Sequence, residues 1–311
     1  MQSLPLDLAV SKNKVTILGN GLVGSAIAKT FVENNFEVRA LGSKDLNLLN
    51  SVETENFISR LSDDEILIFA AGLSGGISFN LEKPYDLFSK NIEMLNNFIG
   101  AAERKRIKRV INIVPACVYP ANLNQRVKVE DLWQGPMEKS SLAYSTSKMA
   151  GLVGVESVRK QLGLQWTNLI VTNVYGPHKR IDAKQMHVIP ALIEKFKSAK
   201  VSGESSVQIL GDGTPVREFL YSSDLGSAVQ VFIEKNDWSV PTMNIAGSEA
   251  VSILELAKLI ATEMEYEGEI LVEKSSKNGT SIKLLDDSVF RNTGWSPKVQ
   301  LKSGIKLLHN N

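Results

Sequence analysis

Cysteine, long apolar runs and blocks of like charge are nearly absent from the sequence, and each absence excludes a class of protein. Cys117 is the only cysteine, so no intrachain disulfide can form. No apolar run reaches the ~18 residues of a membrane-spanning helix. A formal net charge of +1 without a basic cluster gives no electrostatic surface for nucleic acid. We therefore expect no membrane and no nucleic-acid partner.

The N-terminal stretch MQSLPLDLAV has no basic leader, and a proline and an aspartate interrupt its apolar residues. We expect no signal peptide and, with a single thiol, a cytoplasmic location. A chain of 311 residues that is 43% hydrophobic can bury a large core, as one large α/β domain or as two smaller ones.

Short β-rich runs alternate with longer amphipathic stretches from Lys14 onward, which predicts an α/β fold with a Rossmann-type, doubly wound parallel sheet. The candidate strands are KVTIL, EVRAL, EILIF, RVINIV and QWTNLIV, and the candidate helices span 22–34, 51–61, 84–104 and 142–162. After Tyr175 the alternation of β-rich and amphipathic stretches becomes less regular. We predict a cofactor domain over 1–175, to which a segment near 205–235 returns, and a smaller, mainly substrate-binding domain over 176–311.

A glycine-rich motif lies between the first candidate strand and its helix. VTILGNGLVGSAIAKTF contains Gly19-x-Gly21-x-x-Gly24, in which the glycines permit a tight turn, close approach of a pyrophosphate and close packing of helix on strand. The motif predicts a dinucleotide site, with a purely structural turn as the alternative. We assign to this site the loop residues Gly19, Asn20, Gly21, Leu22, Val23 and Gly24.

The end of the second strand indicates which dinucleotide binds. An NAD site usually has an acidic residue there, whereas EVRALGSKD ends in Gly42, Ser43 and Lys44, with no carboxylate before Asp45. A hydroxyl and an ammonium group suit a 2′-phosphate, so we predict NADP(H). Lys44 as a solvated loop cation is the alternative. The further predicted cofactor contacts are Asp45, Leu46, Ala70, Ala71 and Gly72.

SLAYSTSKMAG places Tyr144 and Lys148 four residues apart, on one face of a helix. An ammonium group near the phenol is expected to lower the tyrosine pKa toward a range useful for proton transfer. A Tyr-x-x-x-Lys pair is common in proteins and by itself does not indicate a function. Together with the glycine motif upstream, it favours a catalytic role. Both residues are also predicted cofactor contacts.

These features, together with motifs that run through nearly the whole chain, resemble the extended short-chain dehydrogenase/reductases and, within that group, the GDP-L-fucose synthases. The resemblance implies an NADPH-dependent enzyme that inverts two carbons of a nucleotide-linked 4-keto-6-deoxy sugar and then reduces its ketone. The matching motifs are GLVGSAI, DLNLLN, GGI, CVYP, TNVYGPH, HVIPAL, GTPVREF and GTSIKLLD.

The resemblance assigns the acid/base pair of the inversion to Cys117 and His187. Without it, Cys117 is more simply a small buried residue and His187 a helix cap. It further implies that Asn173 and His187 contact the cofactor, that Asn173, Lys195 and Arg217 contact the substrate, and that related enzymes form homodimers through helices 84–104 and 142–162. Surface cations are the alternative for Lys195 and Arg217, and no metal site is assigned.

Departures from the family pattern concern catalysis and substrate. Pro115 stands where the family has a serine or threonine that hydrogen-bonds the sugar 4-oxygen, and loss of one such donor costs about 100- to 1000-fold in rate. Four other positions around the nucleotide and sugar also differ: Leu73, Leu210, Asn278 and Ile282. Two alternatives stay open, an NAD-dependent nucleotide-sugar 4-epimerase and a dinucleotide-binding protein with weakened catalysis.

Overall fold

The computed structural model describes residues 14–177, 186–273 and 280–309. Parts of two motifs lie outside the described residues: His178 of TNVYGPH, and Gly279 of GTSIKLLD with its neighbour Asn278.

The strands, in chain order, are β1 (Lys14–Leu18), β2 (Glu37–Leu41), β3 (Ile66–Phe69), β4 (Arg109–Pro115), β5 (Arg126–Val127), β6 (Gln165–Val171), β7 (Asn173–Tyr175), β8 (Ser206–Ile209), β9 (Val216–Tyr221), β10 (Thr242–Ile245), β11 (Glu249–Ser252), β12 (Glu269–Val272) and β13 (Ile282–Leu285). The helices are α1 (Leu22–Glu33), α2 (Ser51–Ile58), α3 (Ile77–Glu82), α4 (Pro84–Lys105), α5 (Leu142–Leu162), α6 (Val188–Ser202), α7 (Ser222–Lys235), α8 (Ile253–Glu263), α9 (Ser288–Arg291) and α10 (Leu301–His309). Short 3₁₀ turns span Ala116–Val118, Val129–Trp133 and Lys139–Ser141.

Six parallel strands form the central sheet in the order β10-β6-β4-β3-β1-β2. The run ILIF of β3 is buried throughout because helices cover both faces of the sheet. The predicted Rossmann-type fold is confirmed. β1 has β2 on one side and β3 on the other, so the strand order reverses here, and the crevice at the carboxyl ends of β1 and β3 is where such folds bind ligands.

A second group of strands lies beyond the central sheet. β11, β9, β13 and β5 form one sheet, β7 pairs with β9, and β12 pairs with β8. Between β9 and β11 the chain returns to the central sheet, where α7 packs on α1 and β10 pairs with β6. The domain boundary at 175 stays a prediction. Within the described ranges, no helix has the length and apolar character to cross a bilayer.

Candidate active site

The glycine loop connects β1 to α1 and forms an open cradle. Gly19 has a φ of +107°, and a Cβ at Gly24 would lie 1.7 Å from the Gly19 carbonyl oxygen, so each needs to be glycine for the turn or for the close packing. Gly21 is different, since a Cβ there would meet nothing within 4 Å. The N-terminus of α1 has no side-chain cap and no acidic residue in its first turn. Open space and uncapped backbone N–H groups fit a pyrophosphate.

The loop after β2 exposes the side chains of Ser43 and Lys44. The Asp45 carboxylate accepts a hydrogen bond from the Gly42 N–H (2.8 Å) and so closes the loop. Leu46 packs in the core with 5% exposure, in a cluster against which Ala71 also packs, and its contact with the cofactor stays a prediction. The exposed hydroxyl and ammonium groups fit a 2′-phosphate, which a free carboxylate would repel.

Lys148 on α5 reaches the end of β3. Its Nζ donates to the Ala71 carbonyl oxygen at 2.9 Å, and a Cβ at Gly72 would lie 2.4 Å from the same nitrogen. A side chain at Gly72 would therefore require the end of the lysine side chain to move. The Nζ also lies 5.7 Å from the centroid of the Tyr144 ring. The predicted Tyr–Lys pair thus stands at the carboxyl edge of the sheet, beside the glycine loop.

The protonation of this pair differs from the sequence-based expectation. Burial, and next the Cys117 thiol, raise the pKa of Tyr144 well above its usual range, where a lowered value was expected from Lys148. Lys148 does not lower the tyrosine pKa, because burial lowers the pKa of Lys148 itself to about 8 and its ammonium group donates to the Ala71 carbonyl. At neutral pH the site therefore holds a neutral phenol beside an ammonium group.

Cys117 lies in the 3₁₀ turn that follows β4, and its side chain is partly exposed. Burial raises the pKa of the thiol, while the charge of Lys283, a hydrogen bond from Ser145 and the charge of Lys148 act in the opposite direction. The thiol, the phenol and the lysine are thus electrostatic neighbours, although the thiol comes from the turn after β4 and the other two groups from α5. The structure brings together three of the four predicted catalytic residues.

Lys283 and Glu138 were missed by the sequence analysis. Lys283 on β13 is in register with Arg217 on β9, and burial lowers the pKa of both cations. Glu138 accepts hydrogen bonds from the backbone N–H and the hydroxyl of Thr280, at 2.6 and 2.7 Å. Desolvation raises the pKa of Glu138, but these hydrogen bonds and the Lys283 charge outweigh it, so the pKa is lowered. The motif GTSIKLLD contained the lysine, but the pattern gave no reason to select it.

Pro115 ends β4 in an extended conformation, with φ −77° and ψ 147°, and is in register with Val171 of β6. It offers neither a side-chain donor nor an N–H. Among neighbours that could replace the missing hydroxyl, Ser145 is fully buried and 3.2 Å from the Ser141 hydroxyl, whereas Ser74 and Thr146 are exposed.

The remaining predicted contacts come from the second half of the chain. His187 immediately precedes α6 with an exposed side chain, and desolvation by the surrounding protein lowers its pKa. The Asn173 amide donates to the Glu218 carbonyl at 2.9 Å. Lys195 is exposed and donates to the Gln208 carbonyl at 3.0 Å. The assigned roles of these three side chains stay predictions.

The sequence pattern of the NAD dependent epimerase/dehydratase family matches residues 15–246. A GDP-L-fucose synthase of Sinorhizobium fredii is 33% identical over 303 residues, which cover 97% of this chain and 96% of that protein.

Two solved structures from Campylobacter jejuni are also similar. The first, described as a GDP-6-OMe-4-keto-L-xylo-heptose reductase, has a TM-score of 0.87 and 25% identity and covers 96% of this chain and 97% of its own. The second, described as a GDP-mannoheptose C4 reductase with NADP bound, has a TM-score of 0.82 and 26% identity and covers 96% of this chain and 98% of its own.

Proposed function

Because the chain belongs to the NAD dependent epimerase/dehydratase family, we propose that it is an NADPH-dependent epimerase and reductase of a nucleotide-linked 4-keto-6-deoxy sugar. The proposal rests on one observation above all: the turn that carries Cys117 packs on α5, which carries Tyr144 and Lys148. A group for proton exchange at carbon therefore adjoins a group for ketone reduction. The similarity to a GDP-L-fucose synthase and to two reductases of GDP-linked sugars supports a GDP-sugar substrate.

The cofactor is NADP(H), held by the glycine loop, by Ser43 and Lys44, and by Lys148 at the ribose. When bound, NADPH supplies the hydride that reduces the ketone. The Ala71 carbonyl accepts a hydrogen bond from the Lys148 Nζ at 2.9 Å and so holds the lysine at this crevice. An NAD-dependent 4-epimerase is disfavoured because the loop after β2 presents a cation instead of an acidic ribose clamp.

Tyr144 is the proton donor of the reduction. Its phenol is neutral at pH 7 because burial raises its pKa, so the proton is available as the ketone oxygen gains charge. The phenolate left behind is stabilised by the ammonium of Lys148, which is near enough to the ring to interact with it.

Cys117 and His187 exchange the protons of the inversion. Inverting a carbon beside a ketone requires one group to remove the C–H proton and another to return a proton on the opposite face. Desolvation by the surrounding protein raises the pKa of the thiol and lowers the pKa of the imidazole, so at neutral pH the ring is neutral and the sulfur is protonated. We propose that His187 accepts the first proton and Cys117 donates the second.

The substrate side of the cleft is basic. Arg217 and Lys283 stand on adjacent strands, and Lys283 is close enough to Cys117 to influence its pKa. A diphosphate is a suitable partner for these charges, which would place the sugar between them and Tyr144. We extend the substrate-binding set of Asn173, Lys195 and Arg217 by Lys283.

We further propose a cytoplasmic homodimer. The single thiol supports the location. Exposed apolar side chains on α4 and α5, namely Tyr85, Phe88, Leu142 and Val153, support pairing through these two helices.

Turnover tests the proposed function directly. The protein is mixed with GDP-4-keto-6-deoxymannose and either NADPH or NADH, and cofactor oxidation is followed by absorbance. We expect oxidation of NADPH in preference to NADH, and its loss in Tyr144→Phe. Binding of NADPH without oxidation would instead favour a dinucleotide-binding protein with lost catalysis, an alternative that Pro115 supports. Equal use of NADH would contradict the cofactor assignment.

A further inference from the structure

The turn that carries Cys117 is held at both ends by contacts to other strands. Before the turn, Pro115 of β4 is in register with Val171 of β6. After it, the Tyr119 hydroxyl donates to the side-chain oxygen of Asn244 on β10 at 2.7 Å. Tyr119 and Asn244 are 1% and 2% exposed, so water does not compete for this bond. The thiol therefore lies between two fixed points.

Asn244 also reaches the second sheet. Its side-chain nitrogen donates to the carbonyl oxygens of Val127 and Asp286, each at 3.0 Å. Val127 ends β5, and Asp286 directly follows β13. A carboxamide has two N–H donors and one acceptor oxygen, so both donors and the oxygen of Asn244 are engaged. One side chain thus joins the turn of Cys117 to the ends of β5 and β13.

This connection matters because β13 carries Lys283, whose charge influences the pKa of the Cys117 thiol. Leu285 of β13 packs in the same hydrophobic cluster as Tyr119. Apolar contacts are not directional, whereas the hydrogen bond through Asn244 fixes the direction in which the turn and the strand face each other.

We propose that Tyr119 and Asn244 are positioning residues, which anchor the turn of Cys117 to the second sheet and so hold the thiol in the geometry that proton exchange requires. The inference rests on the proposed role of Cys117 in that exchange. Neither residue needs to touch the substrate.

The turn needs such an anchor because its own backbone holds it weakly. It is a 3₁₀ turn of three residues, closed by a bond of 3.2 Å from the Tyr119 N–H to the Ala116 carbonyl. Burial raises the pKa of Tyr119 well above its usual range, so its hydroxyl keeps the proton and stays the donor. A misplacement of about 1 Å in a reacting group can cost about 100-fold in rate.

Three variants of the complete protein test the anchor. Tyr119→Phe deletes the hydroxyl and keeps the ring, so only the bond to Asn244 is lost. Asn244→Ala also removes the two bonds to the ends of β5 and β13. Tyr175→Phe is the matched control, because Tyr175 is 4% exposed and its hydroxyl donates to the Leu301 carbonyl on α10 at 3.4 Å.

Deuterium uptake from heavy water into GDP-4-keto-6-deoxymannose is measured against sugar concentration. We expect Tyr119→Phe to lower the maximal rate about 10-fold with KM unchanged, because only the turn of Cys117 is released. Asn244→Ala should lower the rate at least as much and also raise KM, because it frees β13 and Lys283. A merely structural role would lower the thermal stability of both phenylalanine variants and leave their uptake at the parent rate. Parent-rate uptake by folded Tyr119→Phe would overturn the proposal.

A second measurement does not depend on the proposed function. Cys117 is the only cysteine, so the rate of its alkylation by iodoacetamide, followed by mass spectrometry, reports on the turn. We expect alkylation about 10-fold faster in Tyr119→Phe and Asn244→Ala than in the parent and Tyr175→Phe, because the turn opens more readily. Unchanged alkylation in Tyr119→Phe would overturn the anchor. Faster alkylation with no deuterium uptake by any of the proteins would leave the anchor intact and contradict the proposed function.

Discussion

At the residue scale, Pro115 is the departure with the clearest chemical consequence. The structure places it at the end of β4 in an extended conformation that serine also adopts, so Pro115→Ser should fold. Because Ser145 is engaged elsewhere, Ser74, Thr146 or an ordered water is left to contact the sugar 4-oxygen. Water is an adequate but less fixed donor.

We expect Pro115→Ser to reduce a GDP-linked 4-keto sugar about 10-fold faster than the parent. A fixed donor to a developing oxyanion can raise the rate by more than this factor. Its affinity for NADPH should stay unchanged, because the new hydroxyl faces the sugar. Single-turnover reduction rates and cofactor titrations measure the two effects. A folded variant that is no faster would mean that another donor already fills the role.

Lys148 illustrates a conflict between stability and catalysis. Burial lowers its pKa from 10.5 to about 8, so below pH 8 the folded protein retains a charge that its environment disfavours. Between pH 8 and 10.5 the unfolded chain binds more protons than the folded one, so the free energy of unfolding contributed by this residue rises with pH. Catalysis, however, requires the ammonium.

We therefore expect Lys148→Met to abolish reduction and yet be more stable than the parent at pH 7, by about 1–2 kcal/mol after loss of the hydrogen bond to Ala71. The difference should shrink as pH rises toward 10.5. Urea unfolding of both proteins from pH 7 to 10 measures it. A difference that does not depend on pH would show that Lys148 has an ordinary pKa.

At the element scale, the β1–α1 unit separates two uses of glycine. A Cβ at Gly24 would lie 1.7 Å from the Gly19 oxygen, a backbone atom that cannot move aside, whereas a Cβ at Gly21 meets open space. Gly24→Ala should therefore destabilise the cofactor-free protein by about 1–3 kcal/mol or more. Gly21→Ala should keep that stability and bind NADPH at least ~10-fold more weakly, because its methyl group occupies the pyrophosphate cradle.

Thermal unfolding without cofactor and NADPH titration of both variants test this contrast. Equal stability of the two cofactor-free proteins would contradict the packing argument. Unchanged NADPH affinity in Gly21→Ala would place the pyrophosphate elsewhere.

The sequence predicted the elements of the first half well because their contacts are local and their patterns regular. The helix expected over 142–162 is Leu142–Leu162, and KVTIL is β1. The second sheet was not predicted, since β5 has two residues and pairs with β13 across more than 150 positions. Lys283 enters the site through the pairing of β13 with β9, and Glu138 through its hydrogen bonds to Thr280.

At the scale of the whole molecule, the site combines two groups of strands. Tyr144, Lys148 and Cys117 come from the first sheet and its helix, whereas Arg217 and Lys283 come from the second. The exposed apolar side chains of α4 and α5 are not among these site residues and are available for the pairing of two chains. We expect light scattering at micromolar concentration to give twice the chain mass of 34.1 kDa. A measured mass equal to that of one chain would contradict the proposed homodimer.

Proton exchange at carbon, measured without reduction, is a direct test of Cys117 and His187 as the acid/base pair. The protein is incubated in heavy water with GDP-4-keto-6-deoxymannose and no NADPH, and deuterium in the sugar is located by mass spectrometry and NMR. We expect uptake beside the ketone by the parent, and uptake slowed about 100-fold or more in Cys117→Ala and His187→Asn, with NADPH binding unchanged. Uptake at the parent rate in both variants, or none in the parent, would contradict it.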